Sequence, residues 1–290
     1  MKKVFYLAVL VLLLIASGAY SAERSIIRLG MLSKLNTTEE VFSDIWRKTY
    51  APPNGDLTID VKFYDSLTAM QMALNAGQIR QIVLPEAPAQ YILNVNKQVE
   101  AALVLPADGM GLAFGFRGED TQLRDDFNKA LDAMRDDWTL QTIEGVYTAQ
   151  PGVSEPEAVK FSVFPNAKTI KAAVTGDLPP IDFIAADGTP VGFNTAVLAE
   201  IGRRLKVNIE LVEVAAGART SALTSGRADV VFWYEVNSKS DVQHDIPEGV
   251  IISKPYYEWH KFIHIKKVQP KEKSKWDVML GILNLYHTGE

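Results

Sequence analysis

The chain has 290 residues, 47% hydrophobic and 22% charged, with a formal net charge of −5. That balance fits an ordinary globular protein of one or two domains, and the acidic charge argues against a nucleic-acid partner, which would need a basic face for phosphates. With no cysteine, the chain can have no disulfide, no thiolate metal site, no cysteine nucleophile and no lipid-modified cysteine.

In chain order, Lys2 and Lys3 precede an apolar run from Val4 to Ala16, followed by the small residues Ser17, Gly18, Ala19, Ser21 and Ala22. This pattern predicts a secretory signal peptide over 1–22, cut after Ser21 or Ala22, and therefore a periplasmic protein. The run is shorter than the ~20 residues of a membrane span, although an uncleaved anchor is the alternative.

Ile26 to Met31 reads as a buried strand, and Thr37-Thr38-Glu39-Glu40 opens a helix through Trp46. Leu57 to Phe63 alternates as a strand, Ser66 caps a helix from Leu67 to Asn75, Ile79 to Leu84 is the next strand, and Pro88 to Asn94 is a short helix. Gly118 to Tyr147 predicts a helix pair, and the Pro-rich stretch Ala149 to Asn166 a linker. A second series follows: strand Thr169 to Val174, a turn at Asp187-Gly188, helix Asn194 to Leu205, strand Asn208 to Val214, helix Thr220 to Ser225 and strand Asp229 to Tyr234. Strands alternating with helices predict a largely parallel α/β arrangement. Lys261, Lys266, Lys267, Lys271, Lys273 and Lys275 read as a solvated linker, and Trp276 to Leu285 as a docking helix.

Four segments in order carry a resemblance. They are Asp177-Leu178-Pro179-Pro180, Asp187 to Phe193 with its Asp-Gly-x-x-x-Gly-Phe pattern, Ala222-Leu223-Thr224-Ser225-Gly226-Arg227-Ala228-Asp229, and Ser253-Lys254-Pro255-Tyr256-Tyr257. Together they resemble the first lobe of the bacterial extracellular solute-binding proteins of family 3, the amino-acid receptors of ABC importers. Ile27 to Leu93 resembles that family's second lobe, and Gly109 to Tyr147 the tail that ordinarily ends such proteins. The resemblance implies a two-lobed, type II periplasmic-binding-protein clamshell with its lobe order circularly permuted; two truncated modules in tandem are the alternative. Its parts are the second lobe at 23–105, a hinge strand and tail of the first lobe at 106–148, the linker at 149–166, the main part of the first lobe at 167–265, and a hinge return with C-terminal helix at 266–290. The implied function is capture of a small polar solute by a monomer that docks on an inner-membrane permease, with no cofactor and no chemistry. A signalling protein of the envelope and a dehydratase-like enzyme, with Glu86 or Glu235 as acid/base, are the other readings.

The family's carboxylate-binding arginine is replaced here by Asp241, with Ser238 standing for the preceding threonine. Arg219 is the substitute expectation for an anion, because a guanidinium pairs bidentately with a carboxylate. Glu86 is the substitute for the family's amine-binding aspartate, Asp177 belongs to the ligand-facing turn, and Trp233 and Tyr234 offer aromatic walls. Thr37 and Thr38 offer hydroxyls and N–H groups at a helix start. Core packing for the aromatic pair, an exposed position for Arg219 and simple capping for the threonines are the competing readings. His244, His260, His264 and His287 show no metal-binding spacing.

Overall fold

A computed structural model describes residues 25–50, 57–153, 158–185 and 187–269. The signal-peptide stretch, the helix expected over Trp276 to Leu285, and Lys271, Lys273 and Lys275 lie outside the described residues.

Two parallel βα series form the ends of one mixed sheet. At one end β1 (Ser25–Leu32) pairs in parallel with β2 (Leu57–Tyr64) and β3 (Gln81–Pro85). Joining the ends are two long antiparallel strands, β4 (Val99–Arg117) and β12 (Tyr257–Lys267). At the other end β5 (Thr169–Val174) pairs in parallel with β9 (Asn208–Glu213) and β10 (Val230–Asn237). The spatial order is β2-β1-β3-β12-β4-β10-β5-β9, with β11 (Val250–Ile252) also paired to β4. A small separate sheet holds β6 (Asp177–Leu178), β7 (Asp182–Ile184) and β8 (Pro190–Val191). Lobe one, the stretch that resembles the family's second lobe, comprises β1–β3 with their helices, and lobe two comprises β5–β11 with theirs.

Local chemistry explains the helices. In α1 (Glu39–Tyr50) Thr38 Oγ1 accepts from the Val41 N–H at 3.3 Å, with Glu39 and Glu40 in the first turn and Arg47 and Lys48 in the last, signs that suit the helix dipole. The helix also satisfies the free edge of β2: Val61 N–H donates to Ser43 Oγ at 2.8 Å and Phe63 N–H to Glu39 Oε1 at 2.7 Å. Ser66 caps α2 (Leu67–Asn75), accepting from Ala69 N–H at 3.0 Å. α3 (Glu86–Val95) follows β3 directly. α4 (Thr121–Asp136) and α5 (Thr139–Thr148) form the expected helix pair. They pack on lobe two: Asn128 Oδ1 accepts from Lys254 N–H at 2.7 Å, and Arg204 Nη2 donates to Asp137 at 2.7 Å. α6 (Phe193–Leu205) starts after Gly192 at φ +98°, where a Cβ would stand 2.9 Å from the Pro180 carbonyl oxygen, so only glycine fits. α7 (Arg219–Thr224) follows a 3₁₀ turn at Ala216–Ala218.

One expectation needs correction. Lys261, Lys266 and Lys267 lie not in a linker but in β12, whose backbone is paired with β4 on one side and, over Phe262 to Ile265, with β3 on the other. The stretch at 149–166 that the sequence reads as a linker is held at both of its described ends, since Asn94 Nδ2 donates to the Pro151 carbonyl at 2.8 Å and Asn208 Nδ2 to the Phe164 carbonyl at 3.0 Å.

The core runs through both lobes and the connecting strands. Within it His264 is 3% exposed, with Nδ1 2.7 Å from Gln81 Oε1, its ring centroid 5.7 Å from that of Trp46, and Nε2 unpartnered. Burial in apolar surroundings favours the neutral ring and pushes its pKa down to about 4. Between pH 6.5 and about 4 the unfolded chain takes up a proton that the native ring refuses, so stability is intact above pH 6.5 and falls with acidification. The lost contribution is about 3 kcal/mol. His264→Gln, which keeps a polar contact to Gln81 but cannot titrate, is expected to flatten urea-unfolding stability against pH over this window; His244, whose pKa burial also lowers, leaves a smaller slope of the same sign.

Candidate functional site

The two lobes meet where β1, β3 and β10 end and where the β5–β6 turn begins, the edge at which open α/β sheets bind ligands. Met31, Leu32, Leu84 and Pro85 of lobe one face Leu178, Ile181 and Trp233 of lobe two, with Tyr257, Trp259 and Phe262 of β12 along the side. They enclose a chamber of about 20 Å³, room for roughly one water. Its walls are apolar except for one ion pair: Lys34 Nζ lies 2.6 Å from Glu235 Oε1, with side chains 4% and 15% exposed. Lys34 comes from lobe one and Glu235 from lobe two.

A second interlobe contact centres on Arg219, which is 0% exposed. Nε donates to the Ala216 carbonyl at 2.8 Å; Nη1 to the Trp233 carbonyl at 2.8 Å and Asp245 Oδ2 at 3.0 Å; Nη2 to Asp245 Oδ1 at 2.9 Å and, across the lobes, to the Ser33 carbonyl at 3.2 Å. These use all five guanidinium donors. The plane also lies over Trp233, 3.9 Å from its ring centroid, and 5.1 Å from that of Tyr234. Asp245 completes the junction by accepting from Leu35 N–H at 3.1 Å and Glu235 N–H at 2.8 Å. Asn36 adds two bonds to the same loop, its N–H to the His244 carbonyl and its Nδ2 to the Gln243 carbonyl, both at 2.8 Å.

A third contact is made by Asp177, whose carboxylate accepts from the Thr68 N–H at 3.4 Å at the start of α2 in the opposite lobe. Burial raises its pKa, opposed by the Leu67 and Thr68 N–H groups. Beneath it, Asp182 is 1% exposed and its pKa is raised by burial. It accepts from Thr175 N–H at 2.8 Å, Thr175 Oγ1 at 2.7 Å, Gly176 N–H at 3.0 Å and Trp233 Nε1 at 3.2 Å, which fixes the turn and aims the indole.

The structure brings only some of the expected residues together. Trp233 lines the chamber and Leu178 stands beside it, but Tyr234 turns into the core, its ring against Gly115, where a Cβ would lie 2.1 Å from Cε2. Arg219, expected to receive an anion, has its donors consumed by the protein and joins the lobes instead. Glu86 sits at the start of α3 with its side chain 46% exposed and 3.3 Å from Lys261 Nζ, outside the chamber lining. Ser238 is exposed and donates to the Gly109 carbonyl at 3.2 Å. Thr38 caps α1, while Thr37 Oγ1 is buried without a partner. Lys34, Asp182, Glu235 and Asp245 are the polar residues that matter most here, and none was expected as a ligand-binding group. Their signal in the sequence is faint: each is a single charged residue with no motif around it. Among the described residues no three histidine, aspartate or glutamate side chains cluster as metal ligands, and no helix is long and apolar enough to cross a membrane.

Residues 170–276, somewhat over a third of the chain, match the family model of bacterial extracellular solute-binding proteins, family 3. No curated protein matches the chain significantly. Similar solved structures include the zinc-bound ligand-binding component of an ABC-type import system from Staphylococcus aureus, at 11% identity and TM-score 0.41, covering 84% of this chain and 66% of that one. This chain thus spans just under two thirds of that structure. The alkanesulfonate-binding protein SsuA from Xanthomonas axonopodis pv. citri bound to MOPS gives 9% identity and TM-score 0.40, covering 93% and 72%. The reduced OxyR regulatory domain from Pseudomonas aeruginosa gives 9% identity and TM-score 0.39, covering 93% and 100%.

Removing Asp245 leaves a buried, fully charged guanidinium short of its counter-ion. Asp245→Ala is therefore expected to cost about 3–5 kcal/mol in chemical unfolding, and pairing it with Arg219→Met to recover part of that loss. A cost below 1 kcal/mol for the single variant would show that the pair does not hold the junction.

Proposed function

We propose that this chain is a small-solute receptor of the periplasm, one that closes two lobes on its ligand and presents the closed form to an ABC permease. The match of residues 170–276 to the solute-binding family supports the reading. The observation that carries it is the buried Lys34 and Glu235 pair in an apolar interlobe chamber, one charge contributed by each lobe.

The chemistry of that pair points to the ligand. Burying two charges costs free energy that their attraction repays only while both are matched. A solute with one charge would pair with Lys34 or Glu235 and strand the other. A zwitterion carrying a carboxylate and an ammonium matches both, turning one internal pair into two pairs with the ligand, while Trp233, Trp259 and Leu178 receive its apolar part. With room for about one water, the chamber admits such a solute only after the lobes part. The paired strands β4 and β12, where Leu105 faces Phe262 and the register shifts between Trp259 and Lys261, are the place for that hinge motion.

We infer as well that the lobe order is circularly permuted. Helices α4 and α5 precede lobe two in the chain yet pack against its α6, and the 149–166 stretch connects them to β5, which supports the permutation over two separate modules. Catalysis is the weaker reading: Glu86 is exposed beside Lys261, and Glu235 is engaged by Lys34, so neither stands free as an acid/base.

A thermal-shift screen of the mature protein tests the proposal. Apolar amino acids and related zwitterions are expected to raise the melting temperature, a ligand at 100 times its Kd adding about 2.7 kcal/mol. Their N-acetyl and methyl-ester derivatives should bind at least tenfold more weakly, and Lys34→Met should abolish the preference. The absence of any shift across zwitterions, carboxylates and amines would contradict capture of a solute and favour a signalling role in the envelope.

A further inference from the structure

Beside the chamber a larger cavity of about 280 Å³ opens between α1 of lobe one and the β10–β11 loop of lobe two. Phe42, Trp46 and Tyr50 of α1 and Phe262 of β12 supply aromatic walls. The Trp46 ring centroid lies 4.7 Å from that of Tyr50 and 6.5 Å from that of Phe262, so the rings form one surface. Thr49 and Val242 lie at the mouth, one from each lobe, and both are exposed.

The ionisable groups of the lining are Glu235, Asp245, His244 and Tyr50; no lysine or arginine lines it, and Lys34 reaches it only through its pair with Glu235 at 2.6 Å. Burial lowers the pKa of His244, which leaves the ring uncharged at neutral pH. Asp245 is saturated by Arg219 and two N–H groups, whereas Glu235 engages Lys34 through Oε1. The amide of Gln243 is spent on its own loop: Oε1 accepts from Asn237 N–H at 2.9 Å, and Nε2 donates to the Asn237 carbonyl at 2.9 Å and the Ser240 carbonyl at 2.7 Å. The cavity therefore offers aromatic walls, the Glu235 carboxylate and, beyond the Tyr50 hydroxyl and the Asn237 amide, few donors. An anion would meet carboxylate without a compensating donor, and a strongly hydrated cation would lose its shell against aromatic walls. A cation whose charge is wrapped in alkyl groups satisfies both conditions, because the faces of aromatic rings attract it and its surface costs little to desolvate.

We propose that this cavity is a second binding site, for a small alkylammonium ion. Since its walls come from both lobes, occupancy favours the closed arrangement.

Calorimetric titration of the mature full chain with tetramethylammonium chloride tests this, with sodium chloride at equal ionic strength and tert-butanol as a neutral probe of similar shape. Tetramethylammonium is expected to bind, and tert-butanol at least tenfold more weakly. Thr49→Trp and, separately, Val242→Trp fill the mouth from opposite walls at exposed positions, and each should weaken tetramethylammonium binding at least tenfold without lowering the melting temperature by more than a few degrees. Equal affinity for the two probes, no binding heat for tetramethylammonium, or binding untouched by both tryptophan variants would overturn the proposal.

Discussion

One buried carboxylate organises the meeting of the lobes. Asp245 takes two donors on each oxygen: Arg219 Nη2 and Leu35 N–H on Oδ1, Arg219 Nη1 and Glu235 N–H on Oδ2. Those donors belong to three separate segments, the start of α7, the loop after β1 and the end of β10. A charge with 1% side-chain exposure is stable only when it is both paired and hydrogen-bonded, so the requirements of Asp245 pull these segments to one point. The bond to Glu235 N–H also sets where that side chain emerges, and hence where it meets Lys34. The chamber and the lateral cavity share Glu235 as a wall, so both inherit their shape from the same junction.

The architecture makes the junction reversible in principle. Among the described residues β4 and β12 connect the ends of the sheet, and around the apolar chamber the lobes are joined by discrete polar contacts: Lys34 with Glu235, Arg219 with the Ser33 carbonyl, Asp245 with Leu35, Asn36 with the 243–244 loop and Asp177 with the start of α2. Polar contacts of this kind are exchanged for water at modest net cost when lobes part, whereas a wide apolar seam would not be. The proposed receptor role needs that exchange, because a ligand must enter before the lobes close on it. Asp177 shows how the closed state is held from inside: its carboxylate sits at the N-terminus of α2, where a helix welcomes an anion.

Much of the fold was legible because its signals are local. Ser66 at a helix start, Gly192 at a positive φ before α6, and the strand-helix alternation of both series each depend on residues a few positions apart. The site was less legible because its partners are distant in the chain. Arg219 reads as an anion receptor until Asp245, 26 residues on, and the Ser33 carbonyl, 186 residues back, are seen to use its donors. Lys34 carries no signal of its own in the sequence, and only the closure of Trp233, Leu32 and Phe262 around it reveals a buried charge. Tyr234 alternates with Trp233 along β10 and so faces the opposite side of the sheet, where Gly115 leaves space for its ring. Nothing in the pattern around residue 234 announces that glycine.

The Asp245 junction holds the two lobes together, and the lack of native cysteines makes this directly measurable. Spin labels at Met72→Cys in lobe one and Val146→Cys on α5, both highly exposed positions, report the interlobe distance by pulsed electron resonance. The native protein should give one dominant short distance, and Asp245→Ala should lengthen and broaden it while the circular dichroism spectrum stays native. A distance distribution unchanged by Asp245→Ala would contradict the account.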